Sequence, residues 1–276
     1  MNSRQISAFR RDVWKYWKKE GRHTLPWRKT KDPYRILVSE VMLQQTQVSR
    51  VIPKYEAFLK AFPTPYALAR APLGQVLRLW NGLGYNRRAK FLRDSAKIIV
   101  EEYGGNIRDA IASSKLPGVG PYTRSAVRVF AFNEPDTLIE TNVRAAIIHH
   151  FFKGKHIGRF SGKVTDKQIA GVVEKVAEGQ DPKKWHSALM DYGAHIKKLH
   201  KNPARRSASY VRQSKFEGSL RQVRGAILKT LSLDMPTIDL VGRYGGRFEK
   251  ALAGLARDGL IKKEKGKPAR PGWRIA

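Results

Sequence analysis

Apolar residues recur at intervals of three and four along nearly the whole chain, and stretches alternating apolar with polar are scarce, so its main body has to be built from helices. The spacing predicts helices over 35–48, 50–62, 65–69, 72–82, 85–103, 106–113, 121–132, 141–152, 165–177 and 182–199. Another amphipathic helix is predicted over 5–19, with Ile6, Phe9, Val13 and Trp17 on one face. Proline and glycine clusters punctuate them at Phe62-Pro63-Thr64-Pro65, Gly104-Gly105, Leu116-Pro117-Gly118-Val119-Gly120 and Asn133-Glu134-Pro135-Asp136. No unit of ~20–50 residues repeats, which sets solenoids aside.

Composition narrows the chemistry. The 276 residues carry 54 Lys and Arg against 23 Asp and Glu, a net charge of +31, on an ordinary hydrophobic content of 41%. Such an excess seeks polyanions, above all nucleic acid. No apolar run approaches the ~18 residues a membrane span needs, and no membrane partner is expected. The absence of cysteine excludes disulfides, thiolate zinc sites, cysteine-held iron–sulfur clusters and a cysteine nucleophile. The seven histidines form no ligand constellation, His149 and His150 being adjacent and turned to different helix faces, so no metal site is expected. The beginning of the chain lacks an apolar signal core, and a cytoplasmic location is expected, nucleoid-associated if the source is bacterial.

After Gly193 the composition shifts. Residues 194–216 are rich in Lys, Arg, His and Ser, which reads as a linker or surface wrap. Helical periodicity resumes over Leu220–Leu231, Ile238–Arg243 and Arg247–Asp258, and then Gly259-Leu260-Ile261 enters a basic segment ending Gly272-Trp273-Arg274-Ile275. Three helices followed by a two-stranded wing is the winged-helix plan. A plain helical appendage with a basic tail is the other reading.

Three local features carry chemistry. In Leu116-Pro117-Gly118-Val119-Gly120-Pro121-Tyr122-Thr123, glycines at alternate positions permit positive φ and uncover backbone N–H groups ahead of a helix N-terminus, a place for a phosphate. An ordinary helix–helix turn would show less of this octapeptide. Glu140 opens the helix Thr141-Asn142-Val143-Arg144, where a carboxylate either complements the helix dipole or does chemistry. Glu40 lies in Ile36-Leu37-Val38-Ser39-Glu40-Val41-Met42-Leu43-Gln44-Gln45-Thr46-Gln47, where apolar neighbours would favour its neutral, proton-donating form. A solvent-facing glutamate is the bland alternative.

Together Leu25-Pro26-Trp27-Arg28, Asp32-Pro33-Tyr34, the run Ser39–Val48, Leu79–Tyr85, the hairpin octapeptide and Ala188–Ala194 resemble, in order and spacing, the helix-hairpin-helix (HhH-GPD) DNA glycosylases of the adenine-specific MutY type. The resemblance covers about residues 5–200. It implies an all-α fold of two helical subdomains within residues 1–196, a six-helix one over about 30–130 and a second from the N-terminus and about 131–196. Residues 197–217 then form a basic loop and 218–276 the small winged-helix-like domain. The implied activity is a base-excision DNA glycosylase, a monomer on double-stranded DNA, that flips out adenine mispaired with 8-oxoguanine or guanine and hydrolyses its N-glycosidic bond.

By the same resemblance, Glu40 matches the general acid and Glu140 the aspartate that stabilises the oxocarbenium sugar, with Asn142 beside it. Tyr122 stands where bifunctional relatives carry a Schiff-base lysine, which implies a monofunctional enzyme. Leu25, Trp27, Arg28 and Asp191 match the pocket around the flipped base. Gln45 and Tyr85, with Thr46 and Leu83 nearby, match the residues that wedge into the stack beside the orphaned base. Pro117, Gly118, Val119, Gly120 and Thr123 match the phosphate-binding hairpin, with a structural monovalent cation on its carbonyls as an option.

The chain departs from the pattern in three ways. Glu140 is one methylene longer than the family's aspartate, a displacement of ~1.5 Å that can cost on the order of 100-fold in rate. The four cluster cysteines are replaced by Lys197, Ala204, Ser207 and Gln213, so no iron–sulfur cofactor is expected. Tyr210, Phe216 and Trp185 are the candidate substitute core of that loop, and Lys197, Lys198, Lys201, Arg205 and Arg206 are candidate phosphate contacts or else a solvated face. The Nudix-like domain that recognises 8-oxoguanine gives way to the C-terminal segment, which from Lys197 onward holds 20 Lys and Arg against six Asp and Glu. The alternatives are a thymine/uracil mismatch or damaged-base glycosylase of the same fold, and a non-catalytic DNA-binding paralogue.

Overall fold

The computed structural model describes residues 2–152, 162–233, 235, 237–263 and 272–276. Among them the helices, in chain order, are α1 (Ser3–Glu20), α2 (Pro33–Leu43), α3 (Val48–Ala61), α4 (Pro65–Arg70), α5 (Leu73–Trp80), α6 (Arg87–Glu101) and α7 (Ile107–Ala112). There follow α8 (Pro121–Phe132), α9 (Thr141–Phe151), α10 (Asp166–Ala177), α11 (Pro182–Leu199), α12 (Leu220–Ser232), α13 (Ile238–Tyr244) and α14 (Gly246–Arg257). Strands β1 (Ile261–Lys263) and β2 (Trp273–Ile275) pair antiparallel, Lys262 opposite Arg274. The basic run expected between these strands lies outside the described residues. The body is all-α, with a small helical segment and a two-stranded sheet at its C-terminal end. It divides into two compact units, residues up to 33 with 121–212, and residues 34–120 with 213–276.

In the first unit, α9 and α11 pack along their length and α1 lies on α11 and α10. Phe9 and Val13 of α1 enter a core with Val143, Ile147, Trp185 and Leu189, as the one-sided spacing of that helix requires. Full burial of each large side chain there is worth about 1.5–3 kcal/mol. Gly193 is a packing requirement: a Cβ on it would overlap the backbone carbonyl of Asn142, so α11 approaches the first turn of α9 as closely as only glycine permits. The α10 N-terminus is closed by a capping box between Thr165 and Gln168.

The loop after α11 is tied down by polar contacts. Val164 bridges to Ser207, with Val164 N donating to the Arg206 carbonyl (2.9 Å) and Ala208 N to the Val164 carbonyl (2.8 Å). Ser209 Oγ donates to Asp166 (2.8 Å), Ala204 and Ser207 are buried, and the rings of His149 and His200 stack at 4.0 Å. This corrects the expected substitute core: Phe216 is 61% exposed, Tyr210 is half-buried, and the closure is made by small residues and main chain. Trp185 is fully buried, in the α9–α11 core.

In the second unit, α2 is apolar nearly all round and runs through the interior, its Tyr34 hydroxyl donating to the Phe62 carbonyl (2.9 Å). The periodicity that predicts a helix through residue 48 overruns. The helix stops at Leu43 and Gln45 takes φ 53°, a left-handed conformation incompatible with continuing it. In the C-terminal segment α12 packs on α14 and on α5, burying Val223, Ile227, Leu228 and Leu231. Arg78 of α5 donates to the Ser232 carbonyl (3.0 Å), and Ile275 of β2 lies 3.9 Å from the Cβ position of Gly74. Residues 213–276 therefore belong to the same compact unit as α2–α7.

Candidate active site

The second unit carries Glu40 in the middle of α2, 8% exposed and flanked by buried Ile36, Leu37 and Val41. Beyond α2 two loops present side chains outward. Gln45 (φ 53°) is exposed and Tyr85 (φ 47°) is 37% exposed, and both are non-glycine residues in left-handed backbone. Such conformations cost of order 1–3 kcal/mol each and persist only where their surroundings enforce them.

The enforcing group is Arg88, which the sequence reading did not single out. Its buried guanidinium donates from Nη1 to the carbonyls of Val41 (2.7 Å), Met42 (3.0 Å) and Gln44 (2.6 Å). From Nη2 it donates to Thr46 Oγ1 (3.0 Å) and to the carbonyls of Leu83 (3.2 Å) and Gly84 (3.1 Å). Thr46 Oγ1 also donates to the Leu83 carbonyl (3.3 Å), so one cation binds the end of α2 to the loop before α6. Burial pushes the Arg88 guanidinium down to about 10, still charged at neutral pH. Hydrogen bonds to charged groups contribute about 1.5–3 kcal/mol each. Arg88→Met is therefore expected to lower the urea unfolding free energy by at least ~3 kcal/mol.

In the hairpin the Pro117 carbonyl accepts from Ser95 Oγ (2.9 Å) and the Leu116 carbonyl from Val119 N (3.2 Å). Only Gly118 uses positive φ (71°), and its Cα faces Phe91 too closely for a side chain. Gly120 lacks a positive φ, and the space above it is open, which leaves its backbone accessible. The side chains of Val119 and Thr123 are buried, so any contact to an anion here comes from main chain.

The first unit carries Glu140 as the N-cap of α9. Its Oε1 accepts from Asn142 N (2.8 Å) and Val143 N (2.9 Å), so the longer side chain folds back over its own helix. Removal from water lifts this carboxyl above the usual range, while the two backbone bonds and the nearby Lys197 and Arg144 oppose the rise. Arg144 is itself held by a bidentate pair to Asp166 (2.9 and 2.8 Å). Tyr122 of α8 packs against Ala126, Val129 and Leu138.

Leu25 and Trp27 are buried around the turn Pro26–Arg28. Arg28 and Asp191 are brought together, Nη1 to Oδ2 at 2.5 Å and Nη2 to Oδ1 at 2.9 Å. Arg22, absent from the sequence candidates, joins them through its backbone N (2.8 Å) and Nε (2.6 Å). Burial alone would raise Asp191, but the Arg28 and Arg22 pairs outweigh it and leave its carboxyl below the usual range. Of the basic loop, Lys197 reaches Thr141 Oγ1 (3.5 Å), while Lys198, Arg205 and Arg206 are exposed. Gly193→Ala, which would push Asn142 and its neighbour Glu140 off the α11 backbone, is expected to cost about 1–3 kcal/mol in a denaturation curve and to slow any reaction that uses Glu140.

Comparison with known proteins matches residues 38–191 to the model of the HhH-GPD superfamily base excision DNA repair proteins. The adenine DNA glycosylase of Mycolicibacterium smegmatis is 32% identical over 268 residues, covering 89% of this chain and 90% of that protein. The adenine DNA glycosylase of Buchnera aphidicola subsp. Baizongia pistaciae is 37% identical over 177 residues, and there the chain spans about half (49%) of the relative's length. Among solved structures, a thermostable thymine-DNA glycosylase superposes with a TM-score of 0.59 at 27% identity, covering 69% of this chain and 87% of that one. A trapped endonuclease III–DNA covalent intermediate gives 0.58 at 20% identity over 71% of this chain and 87% of that one, a likeness of fold. No helix among the described residues is long and apolar enough to cross a membrane.

Proposed function

The chain belongs to the HhH-GPD superfamily of base excision DNA repair proteins, and on that premise we propose that it is a monofunctional adenine DNA glycosylase, acting as a monomer on duplex DNA in which adenine faces 8-oxoguanine or guanine. The observation that carries this reading is a pair of carboxyls, Glu40 buried within apolar α2 and Glu140 fixed on the α9 N-terminus by two backbone hydrogen bonds. Glu40 gives its proton to a ring nitrogen of the flipped adenine, and the electrons of the C1′–N9 bond leave with the base. The Glu140 carboxylate stabilises the positive charge growing on the sugar, and water adds to C1′, giving up a proton to the solvent from which Glu40 is reprotonated, to leave the abasic product. Glu140's fold-back onto its own helix supports a carboxylate fixed in place despite its extra methylene.

Tyr122 offers no amine for a Schiff base, which supports release of an intact abasic strand. Residues 197–212, held by Asp166, Val164 and the His149–His200 stack, support a loop that works without an iron–sulfur cluster. A monovalent cation on the hairpin carbonyls would be structural, held by oxygens such as those of Leu116 and Pro117, and would take part in no step. The location that suits the reading is the cytoplasm, on the nucleoid if the source is bacterial.

A thymine or uracil mismatch substrate is the second reading, favoured by the likeness to the thymine-DNA glycosylase. Duplexes carrying A:8-oxoguanine, A:G, T:G and U:G, incubated with the protein and then treated with hot alkali, separate the two. Cleavage of the adenine strand is expected, and none before alkali. Cleavage confined to T:G or U:G would replace the reading, and duplex binding without any cleavage would leave a DNA-binding paralogue.

A further inference from the structure

Within the second unit a groove of about 950 Å³ is bounded on one side by the loops of Gln45 and Tyr85 and on the other by Gln213, Ser214, Phe216, Arg221 and Gln222. That volume suits a nucleotide-sized occupant. Its described lining holds six cations, Arg50, Arg87, Arg88, Arg221, Arg224 and Lys229, against the single carboxylate of Asp258. Asp258 is already engaged by Arg87 and Arg224, so the groove presents a positive surface.

The two walls are joined at the tip of Tyr85. Its hydroxyl accepts from Gln213 Nε2 and from Arg221 Nη1 (2.9 Å), and the Arg221 guanidinium lies 5.6 Å from its ring centroid. Arg221 is in turn aimed by the Ser214 carbonyl, which accepts from Nη2 at 2.6 Å. Arginine donors suit the O6 acceptor that guanine and 8-oxoguanine share and the N7 of guanine, and the glutamine amide beside it, which both donates and accepts, can meet either the N7 of guanine or the N7–H of 8-oxoguanine. Phe216, 61% exposed on the same wall, offers a face for a base to stack on. A strained aromatic at the mouth, paired donors, a stacking face and a positive lining are the parts of a site for an unpaired base.

We propose that this groove is a nucleotide-binding site that takes the purine left unpaired on the strand opposite the excised adenine, with Gln213 and Arg221 as its specificity-determining residues. The proposal rests on the adenine-glycosylase reading for the identity of the lesion. The residues that would read the base lie beyond the 38–191 span that matches the family model, in a segment that packs as part of the second unit.

The test measures dissociation constants of the full-length protein for duplexes with a tetrahydrofuran abasic analogue opposite 8-oxoguanine, guanine, cytosine or thymine, at one fixed salt concentration. Wild type is expected to bind the purine-opposed duplexes about 10-fold or more tightly than the pyrimidine-opposed ones. Arg221→Ala, Gln213→Ala and Phe216→Ala are each expected to narrow that ratio to within about 2-fold, whereas Lys198→Ala weakens all four duplexes alike, as a phosphate contact does. A wild type without preference, or an Arg221→Ala protein that keeps it, overturns the proposal. Adenine excision is scored separately. Excision with a preference that survives in Arg221→Ala removes the site and leaves the glycosylase reading. A preference lost in Arg221→Ala without adenine excision by wild type removes that reading and leaves the site.

Discussion

Glu140→Gln should excise adenine about 10²–10³-fold more slowly than wild type in single-turnover assays and yet unfold at a higher temperature. On the proposed mechanism the loss follows from removing the negative charge that meets the developing sugar cation, an electrostatic contribution of this size where donors or charges are fixed in advance. The gain follows from the raised carboxyl of Glu140. An acid that holds its proton more tightly folded than unfolded contributes stability that is complete below the ordinary glutamate range and is lost as the pH rises through the folded-state value. Glutamine keeps an oxygen for the Asn142 and Val143 N–H groups and never ionises, so at neutral pH it escapes that loss. For a chain of this size each ~1 kcal/mol recovered raises the melting temperature by about 2–4 °C. The difference should shrink as the pH falls below ~4.3. Excision by wild type, needing the ionised form, should fall on its acid side at a higher pH than an ordinary glutamate would give. An acid limb at or below the ordinary range, or a melting temperature lowered in the variant at pH 7, would contradict this account.

Glu40→Gln should be the more severe catalytic lesion, with excision reduced about 10²–10⁴-fold. Glutamine occupies nearly the same volume in α2 and leaves the buried surface of Ile36, Leu37 and Val41 undisturbed, so urea unfolding should stay within about 1 kcal/mol of wild type. On the proposed mechanism, what disappears is the proton the leaving base needs. The distinguishing readout is the split between binding and chemistry: Glu40→Gln should bind the mispaired duplex as wild type does while its single-turnover excision falls. Excision at more than a tenth of the wild-type rate would remove Glu40 from the acid's role.

The helices were legible because burial on one side of a helix writes itself into spacing, and the ends of α8, α10 and α11 coincide with Pro121, Thr165-Asp166 and Pro182, residues that start helices by their own chemistry. The placement of Glu40 among apolar residues inside a helix and of Glu140 at a helix start was legible from their neighbours. Arg88 was not, because five of its six acceptors are backbone carbonyls, which any residue carries, and the sixth is a threonine 42 positions away. Arg22 escaped for a similar reason, since its partner Asp191 lies 169 residues on. Periodicity also could not place the end of α2, because Gln44, Gln45 and Thr46 suit either a helix or the strained turn that Arg88 imposes. The contact of Tyr85 with Gln213 and Arg221 joins segments 128 and 136 residues apart and has no local pattern to announce it. Phe216 misled by its chemistry: an aromatic residue in a loop of small and basic residues invites a place in a core, and here it is mostly exposed.

The loop that follows α11 is closed by Ser209 on Asp166, by the Val164–Ser207 bridge and by two stacked imidazoles. None of these needs anything the ribosome does not supply. On the proposed clusterless reading, folding of this half of the molecule is expected to need no metal delivery, so that melting curves recorded with and without an iron chelator coincide.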